Sequence, residues 1–107
     1  MNVATNRVEI LKQMVKQDPN NAFARYGLAM EFANNGQLEE AVAEFRTVLK
    51  SDESYAAAYY HGGQALEKLG QVEEARALYE RGVEATTRKG DLHTRAEIEA
   101  ALNLLPI

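Results

Sequence analysis

The sequence contains no cysteine and no tryptophan, and it has only two prolines in 107 residues. Without cysteine, the chain has no disulfide framework, no thiolate metal site and no cysteine nucleophile. No apolar run approaches the roughly eighteen residues of a membrane span. The segment from Met1 to Lys12 mixes polar residues with single apolar ones, which is not the pattern of a signal peptide. These absences predict a cytoplasmic protein with no membrane partner.

Positive charge is also scarce, because twelve Lys and Arg residues are set against sixteen Asp and Glu residues, for a formal net charge of −4. An acidic chain is poorly suited to the phosphates of nucleic acids or of anionic membranes. We therefore expect no nucleic-acid partner, and this includes RNA. A hydrophobic fraction of 46% and a charged fraction of 26% are typical of one ordinary globular domain at this length.

Residue patterns that support catalysis or metal binding are not found. The two histidines, His61 and His93, are 32 residues apart and fit no zinc-binding spacing. The acidic pairs at 39–40 and 73–74 stand where helices are predicted to begin, and there carboxylates favour the helix dipole. No glycine loop of the phosphate-binding type occurs. The sequence thus predicts no catalytic residue, no metal, no cofactor and no enzymatic activity.

What the chain does contain is an internal repeat with a period of 34 residues. Gly-Gln-Leu-Glu-Glu-Ala at 36–41 returns as Gly-Gln-Val-Glu-Glu-Ala at 70–75. When residues 22–55 are aligned with 56–89 at this offset, nine positions are identical, and six of them lie in or next to that motif. Self-similarity at such a period is the signature of a repeat architecture built from stacked helical units.

Hydrophobic periodicity predicts helices and no strand, so the fold class is all-α. The expected helices cover 3–17, 21–34, 38–50, 55–68, 72–88 and 92–105. Gly36 and Gly70 are predicted to end helices in the left-handed conformation. Asp52 or Ser54 is expected to cap the fourth helix, and Asp91 the sixth. The first helix is amphipathic, with an inward stripe of Val8, Ile10, Leu11, Met14 and Val15.

At these positions the sequence resembles the tetratricopeptide repeat family. In the first copy the match is carried by Leu28-Ala29, Phe32, Gly36, Ala41, Phe45 and Val48, and in the second by Tyr59, Gly62-Gly63, Leu66, Gly70, Ala75, Tyr79 and Gly82. Arg25 departs from the bulky residue of the pattern, and Glu53 and Thr87 stand where proline is expected. The resemblance implies an α-solenoid of antiparallel helix pairs in a right-handed superhelix. Its parts would be a half repeat at 3–21, repeats at 22–55 and 56–89, and a capping helix at 90–105.

In this family small residues let the helices approach closely, and Ala41, Ala75, Gly63 and Gly82 occupy such positions. A larger side chain there would overpack the contact. The spacing supplies no comparable reason for Gly27 and Gly62, although glycine inside a helix costs about 1 kcal/mol relative to alanine.

The resemblance also implies a function, which is to hold a peptide segment of a partner protein in the concave groove formed by the first helices. The groove positions are Phe23, Tyr26, Met30 and Ala33 on the second helix and Ala57, Tyr60, Gln64 and Glu67 on the fourth. Tyrosine and methionine suit a binding surface, because they combine apolar area with a polar tip or with adaptable shape.

Two alternatives stay open for this stripe and for the chain as a whole. The N-terminal helix or a second protomer would cover the stripe if it belonged to the core. The apolar tail of Leu102, Leu104, Leu105 and Ile107 suggests instead a scaffold that associates weakly with itself. Some family members use a carboxylate clamp, and this sequence does not match it, because Tyr26, Met30 and His61 stand at its positions. Only Arg95 falls at a matching basic position, and Asp91 replaces its partner. An apolar or aromatic peptide is therefore the expected ligand.

Overall fold

A computed structural model describes residues 3–107 of the chain. In these residues there are six α-helices and no strand. The helices are α1 (Val3–Gln17), α2 (Ala22–Asn34), α3 (Leu38–Ser51), α4 (Ala56–Lys68), α5 (Val72–Lys89) and α6 (Leu92–Asn103). In the described part of the chain, no helix has both the length and the apolar character needed to cross a membrane.

The helix boundaries follow the glycine turns that the sequence predicted. Gly36, Gly70 and Gly90 have φ angles of 77°, 78° and 76°, the left-handed region in which a residue without Cβ is not strained. The predicted boundaries agree within one residue for five helices. The sixth ends at Asn103, two residues earlier than expected.

Each helix packs against the next one along the chain, which builds a solenoid of two layers. In addition, α4 contacts both α2 and α6, so these three helices form one layer and α1, α3 and α5 form the other. The result is elongated, with extents of 42 × 28 × 19 Å. The fold is therefore all-α and solenoidal, as the repeat predicted.

The core lies between the two layers and depends on small residues facing large rings. Tyr59 and Tyr79 are buried, and each lies against a glycine of the opposite helix. A Cβ on Gly82 would lie 2.7 Å from the Tyr59 Cβ, which is too close for two carbon atoms. The expectation that Gly63 and Gly82 occupy close contacts is confirmed.

The two other helical glycines also have packing reasons, which the spacing did not supply. A Cβ on Gly62 would lie 3.0 Å from a Leu78 methyl and 3.3 Å from the Phe45 Cβ. A Cβ on Gly27 would lie 3.2 Å from a Leu11 methyl. Both contacts come from helices other than the glycine's own helix, so they cannot be read from its periodicity.

The first helix packs on α2 alone among the described elements. Leu11 lies over Gly27, and Arg7 donates to the carboxylate of Glu31 at 2.6 Å. Glu31 is only 7% exposed, so this ion pair compensates a buried charge. The prediction that Ile10 points inward is wrong, because its side chain is 60% exposed. A helix with one neighbour buries a narrow stripe, and Ile10 lies outside it.

Helix capping differs in part from what the sequence suggested. Neither Asp52 nor Ser54 caps α4, whose first flanking residue is Tyr55 with no side-chain capping bond. The Asp52 carboxylate instead accepts hydrogen bonds from the Ser54 N–H at 2.9 Å and from its hydroxyl at 2.6 Å, so both residues are used within the turn. Asp91 does cap α6, since it accepts from the backbone N–H three residues later at 3.1 Å.

Candidate functional site

The predicted groove residues lie on α2 and α4, and we call the surface that carries them the α2–α4 face. Most of these side chains are half-buried. The exceptions are Phe23, which is 73% exposed, and Glu67. The eight residues are Phe23, Tyr26, Met30 and Ala33 on α2 and Ala57, Tyr60, Gln64 and Glu67 on α4.

Aromatic rings connect the two helices across this face. The centroid of the Tyr26 ring lies 5.0 Å from that of Tyr55, 6.0 Å from that of Phe45 and 6.2 Å from that of His61. His61 in turn meets the Tyr60 ring edge-on at 5.2 Å. Rings at these separations and tilts attract one another beyond their buried area. The run Tyr55–Tyr26–His61–Tyr60 is therefore a preorganised aromatic surface.

Burial shifts the pKa values of Tyr26, Tyr55 and His61 in the direction that favours their neutral forms. Burial raises the pKa of Tyr26, and the neighbouring Tyr55 phenol adds to the effect. Burial lowers the pKa of His61, and this outweighs the opposing effects of a hydrogen bond with Gln64 and of the Glu97 charge. Since desolvation disfavours charged forms, the imidazole and both phenols present uncharged polar tips.

A cleft of about 230 Å³ opens beside the aromatic run, between the second halves of α2 and α4. Its apolar lining consists of Met30, Ala33, Leu38 and Ala65. Its polar lining consists of Asn34, His61, Gln64 and Lys68. The arrangement can take an apolar side chain and offer hydrogen bonds at its edge.

Not every predicted residue joins this cleft. Phe23 stands one turn before Tyr26 and extends into solvent. Glu67 is held by another partner, because the Tyr79 hydroxyl donates to its Oε2 at 2.5 Å. Ala57 lines a separate depression of about 370 Å³ at the N-terminal end of α4, together with Tyr55. The geometry thus brings together Met30, Ala33 and Gln64 at the cleft and Tyr26 and Tyr60 beside it.

The N-terminal helix flanks this surface and lines no part of the cleft. It contacts α2 through Gly27 and Glu31. These residues directly follow Tyr26 and Met30, and consecutive helical residues point about 100° apart. Among the described residues, no side chain of α1 belongs to the cleft lining.

Six residues of the site were not predicted as groove residues from the sequence: Asn34, Leu38, Tyr55, His61, Ala65 and Lys68. Tyr55 precedes α4 and so lies outside any helical stripe, and His61 and Lys68 lie on the flank of α4 that faces α2. Their contribution depends on how closely the two helices approach, which periodicity within one helix does not encode. For His61, its position directly after Tyr60 was the available signal.

Arg95 and Asp91, which the sequence analysis compared with a carboxylate clamp, are bonded to other groups. Arg95 donates to the Glu99 carboxylate one turn later at 3.1 Å, and Asp91 caps α6. Among the described side chains, no group of three His, Asp or Glu residues is arranged to hold a metal ion.

Comparison with known proteins gives a consistent result. The family model of the tetratricopeptide repeat matches residues 26–89. A TPR repeat-containing protein of Pseudomonas aeruginosa is 26% identical over 98 residues, which are 92% of this chain and 93% of that protein.

Two solved structures show the fold. A tetratricopeptide repeat domain protein from Salinibacter ruber, solved by solution NMR, has 30% identity and a TM-score of 0.74, with 79% of this chain and 86% of that chain covered. The TPR2B domain of yeast Sti1, in a complex described as containing pHsp70, has a TM-score of 0.87 at 18% identity, with 94% and 80% covered. At that identity, the second likeness shows the fold alone.

Proposed function

The chain belongs to the tetratricopeptide repeat family, and from that premise we propose that it binds a peptide segment of a partner protein in its concave groove, on the α2–α4 face. The observation that carries the proposal is the aromatic run from Tyr55 to Tyr60 beside a cleft with an apolar lining. Rigid aromatic surface next to a pocket is typical of the energetic centre of interfaces. The TPR2B domain of Sti1, which shares the fold, is itself found in a complex.

We assign the parts of the molecule as two full repeats, 22–55 and 56–89, with a half repeat at 3–21 before them and a capping helix at 90–105 after them. Two repeats give a short groove, so one extended or short helical segment fills it. An affinity in the micromolar range, about −8 kcal/mol, is the expectation for such a surface. The role is interaction and not catalysis, and a cytoplasmic location stays a prediction from the sequence.

The test is a selection of peptides from a phage-displayed random library on the immobilised protein, followed by affinity measurements with the selected peptides. We expect Tyr26→Ala and Tyr60→Ala each to weaken binding, with helicity checked by circular dichroism. Leu92→Ala is the matched control, since Leu92 is an apolar side chain, 69% exposed, on α6 and outside the face. Full affinity in both tyrosine variants, or no selected peptide at all, would contradict the groove assignment.

Self-association is a second candidate, and one observation favours it. Leu92 and Leu104, at the two ends of α6, are 69% and 84% exposed, and Ile107 is exposed as well. Leu105, which the sequence grouped with this tail, is buried in the core, and Leu102 is half-buried. The exposed patch is therefore smaller than the sequence suggested.

Sedimentation velocity at several concentrations tests self-association. A sedimentation coefficient that rises with concentration, and no longer does so in Leu104→Asp, would support it. A constant monomeric value would contradict it.

A further inference from the structure

We propose that the cleft between α2 and α4 selects a partner segment in which an apolar side chain is followed or preceded closely by an acidic residue, whose side-chain carboxylate binds Lys68. This inference rests on the proposed function and names the chemistry of the peptide that the groove takes.

The size of the cleft matches a single side chain. Its volume of about 230 Å³ is below the roughly 300–1,000 Å³ of sites for small molecules. Ala33 and Ala65 keep the space open, and Met30 is an unbranched side chain that adapts to the shape of its occupant. The lining near these residues favours an apolar occupant. It contains no buried polar side-chain atom that lacks a hydrogen-bond partner.

The charge of the cleft is opposite to that of the chain. The protein has a formal net charge of −4, yet no carboxylate is among the residues that line the cleft. The two ionisable groups of the lining are His61 and Lys68. Burial lowers the pKa of His61, so the ammonium group of Lys68 supplies the positive charge at neutral pH. Among the described side chains, no carboxylate lies within salt-bridge distance of Lys68.

Two acidic residues in this region contact groups other than Lys68. Glu67 accepts a hydrogen bond from the Tyr79 hydroxyl, and that places its Oε2 against α5. The charge of Glu97 on α6 acts on His61, where it opposes the lowering of the pKa by burial. A carboxylate from a partner thus meets Lys68 as an unpaired cation.

Amide groups complete the recognition of a carboxylate. Asn34 and Gln64 line the cleft next to Lys68, and each side-chain amide carries two N–H donors. A charged acceptor strengthens such hydrogen bonds. A further depression of about 240 Å³ continues along Gln64, Glu67 and Lys68, so a peptide chain can run past this point. That continuity favours an acidic side chain inside a segment over a terminal carboxylate.

The experiment repeats the random-library selection on three proteins: wild type, Lys68→Glu and Lys50→Glu. Lys50 is the matched control because it is an exposed lysine in the last turn of α3, just as Lys68 is in the last turn of α4. We expect wild type and Lys50→Glu to enrich an acidic residue within two positions of a large apolar residue. Lys68→Glu is expected to lose the acidic residue and to enrich a basic one, since the charge at the cleft is reversed.

A double-mutant cycle with one selected peptide then measures the contact. The peptide is made with an amidated C terminus, and its acidic residue is replaced by the matching amide in a second version. In fluorescence polarisation, this replacement is expected to weaken binding to wild type about tenfold, which is the scale of one charge-assisted hydrogen bond. It is expected to have little effect on binding to Lys68→Gln, whose fold is checked by its melting curve.

The outcomes separate this inference from the function on which it rests. Selected peptides without an acidic preference, or an unchanged preference in Lys68→Glu, would overturn the inference while the groove still stands. Loss of binding on amidation of the C terminus would also overturn it, since the carboxylate would then be terminal. If wild type selects no peptide, the proposed function itself fails.

Discussion

Replacing Gly63 by alanine sets two effects of known size against each other. Alanine is favoured over glycine inside a helix by about 1 kcal/mol. The added Cβ would, however, lie 2.5 Å from Cζ and 2.6 Å from Cδ1 of the Tyr79 ring, where carbon atoms normally stay 3.5–4.0 Å apart. Tyr79 is fully buried and its hydroxyl is bonded to Glu67, so the ring cannot swing aside. The ring and the helix must separate by about 1 Å.

Overpacking of this kind typically costs about 1–3 kcal/mol, and displacement of a rigid ring belongs at the upper end. After the gain in helix propensity is subtracted, we expect Gly63→Ala to lower the free energy of unfolding by about 1–2 kcal/mol. In a domain of this size the melting temperature falls by about 4–8 °C per kcal/mol. Urea and thermal denaturation followed by circular dichroism measure both quantities.

Gly27→Ala is the matched control because the same change meets a softer neighbour. Its Cβ would lie 3.2 Å from a methyl group of Leu11, the far end of a flexible side chain on α1, and that helix packs on α2 alone among the described elements. A shift of a few tenths of an ångström relieves the contact. We therefore expect unchanged stability or a gain of up to about 1 kcal/mol. If Gly63→Ala is as stable as Gly27→Ala, the close packing of α4 on α5 is refuted.

Four further substitutions test the helix packing, one partly buried hydrogen bond and one helix cap. Ala41→Leu and Ala75→Leu each place a large side chain at a fully buried position. Each is expected to lower the free energy of unfolding by about 1–3 kcal/mol, and the melting temperature with it. Unchanged melting curves for both variants would contradict the packing. Tyr79→Phe removes a hydrogen bond whose acceptor, Glu67, stays exposed to solvent. Urea denaturation should therefore show a free energy of unfolding lower by about 1 kcal/mol. A variant that is not destabilised would mean that the bond contributes nothing. Hydrogen bonds from the start of α6 lower the pKa of Asp91, so its stabilising effect is present at neutral pH and is lost as the pH falls through that pKa. The melting temperature of Asp91→Ala should thus lie below that of wild type at pH 7 and converge with it below about pH 4, and a gap that persists in acid would contradict the capping role.

Most of the fold could be predicted because its determinants are local. A left-handed glycine ends a helix whatever surrounds it, and Gly36 and Gly70 fixed two turns and the period between them. The errors have two different origins. The exposure of Ile10 depends on which helices pack against α1, whereas Asp52 does not cap α4 because its carboxylate is bonded to Ser54 within the turn.

The candidate site was predicted in the same uneven way. Periodicity placed Tyr26 and Met30 on one stripe, and the structure has them on one face. Tyr55, His61 and Lys68 join them only through the approach of α4 to α2, which no single-helix pattern describes. Glu67 shows the converse, because it was predicted as a groove residue while its carboxylate accepts a hydrogen bond from Tyr79 of α5.

An NMR titration tests whether a peptide binds on the α2–α4 face. Backbone ¹H–¹⁵N resonances of the labelled protein are followed while a library-selected peptide is added. We expect the largest chemical-shift changes around Tyr26, Met30 and His61, and small changes at Arg46 on α3 and Glu80 on α5. Shifts concentrated on α3 and α5, with α2 and α4 unchanged, would contradict binding on this face.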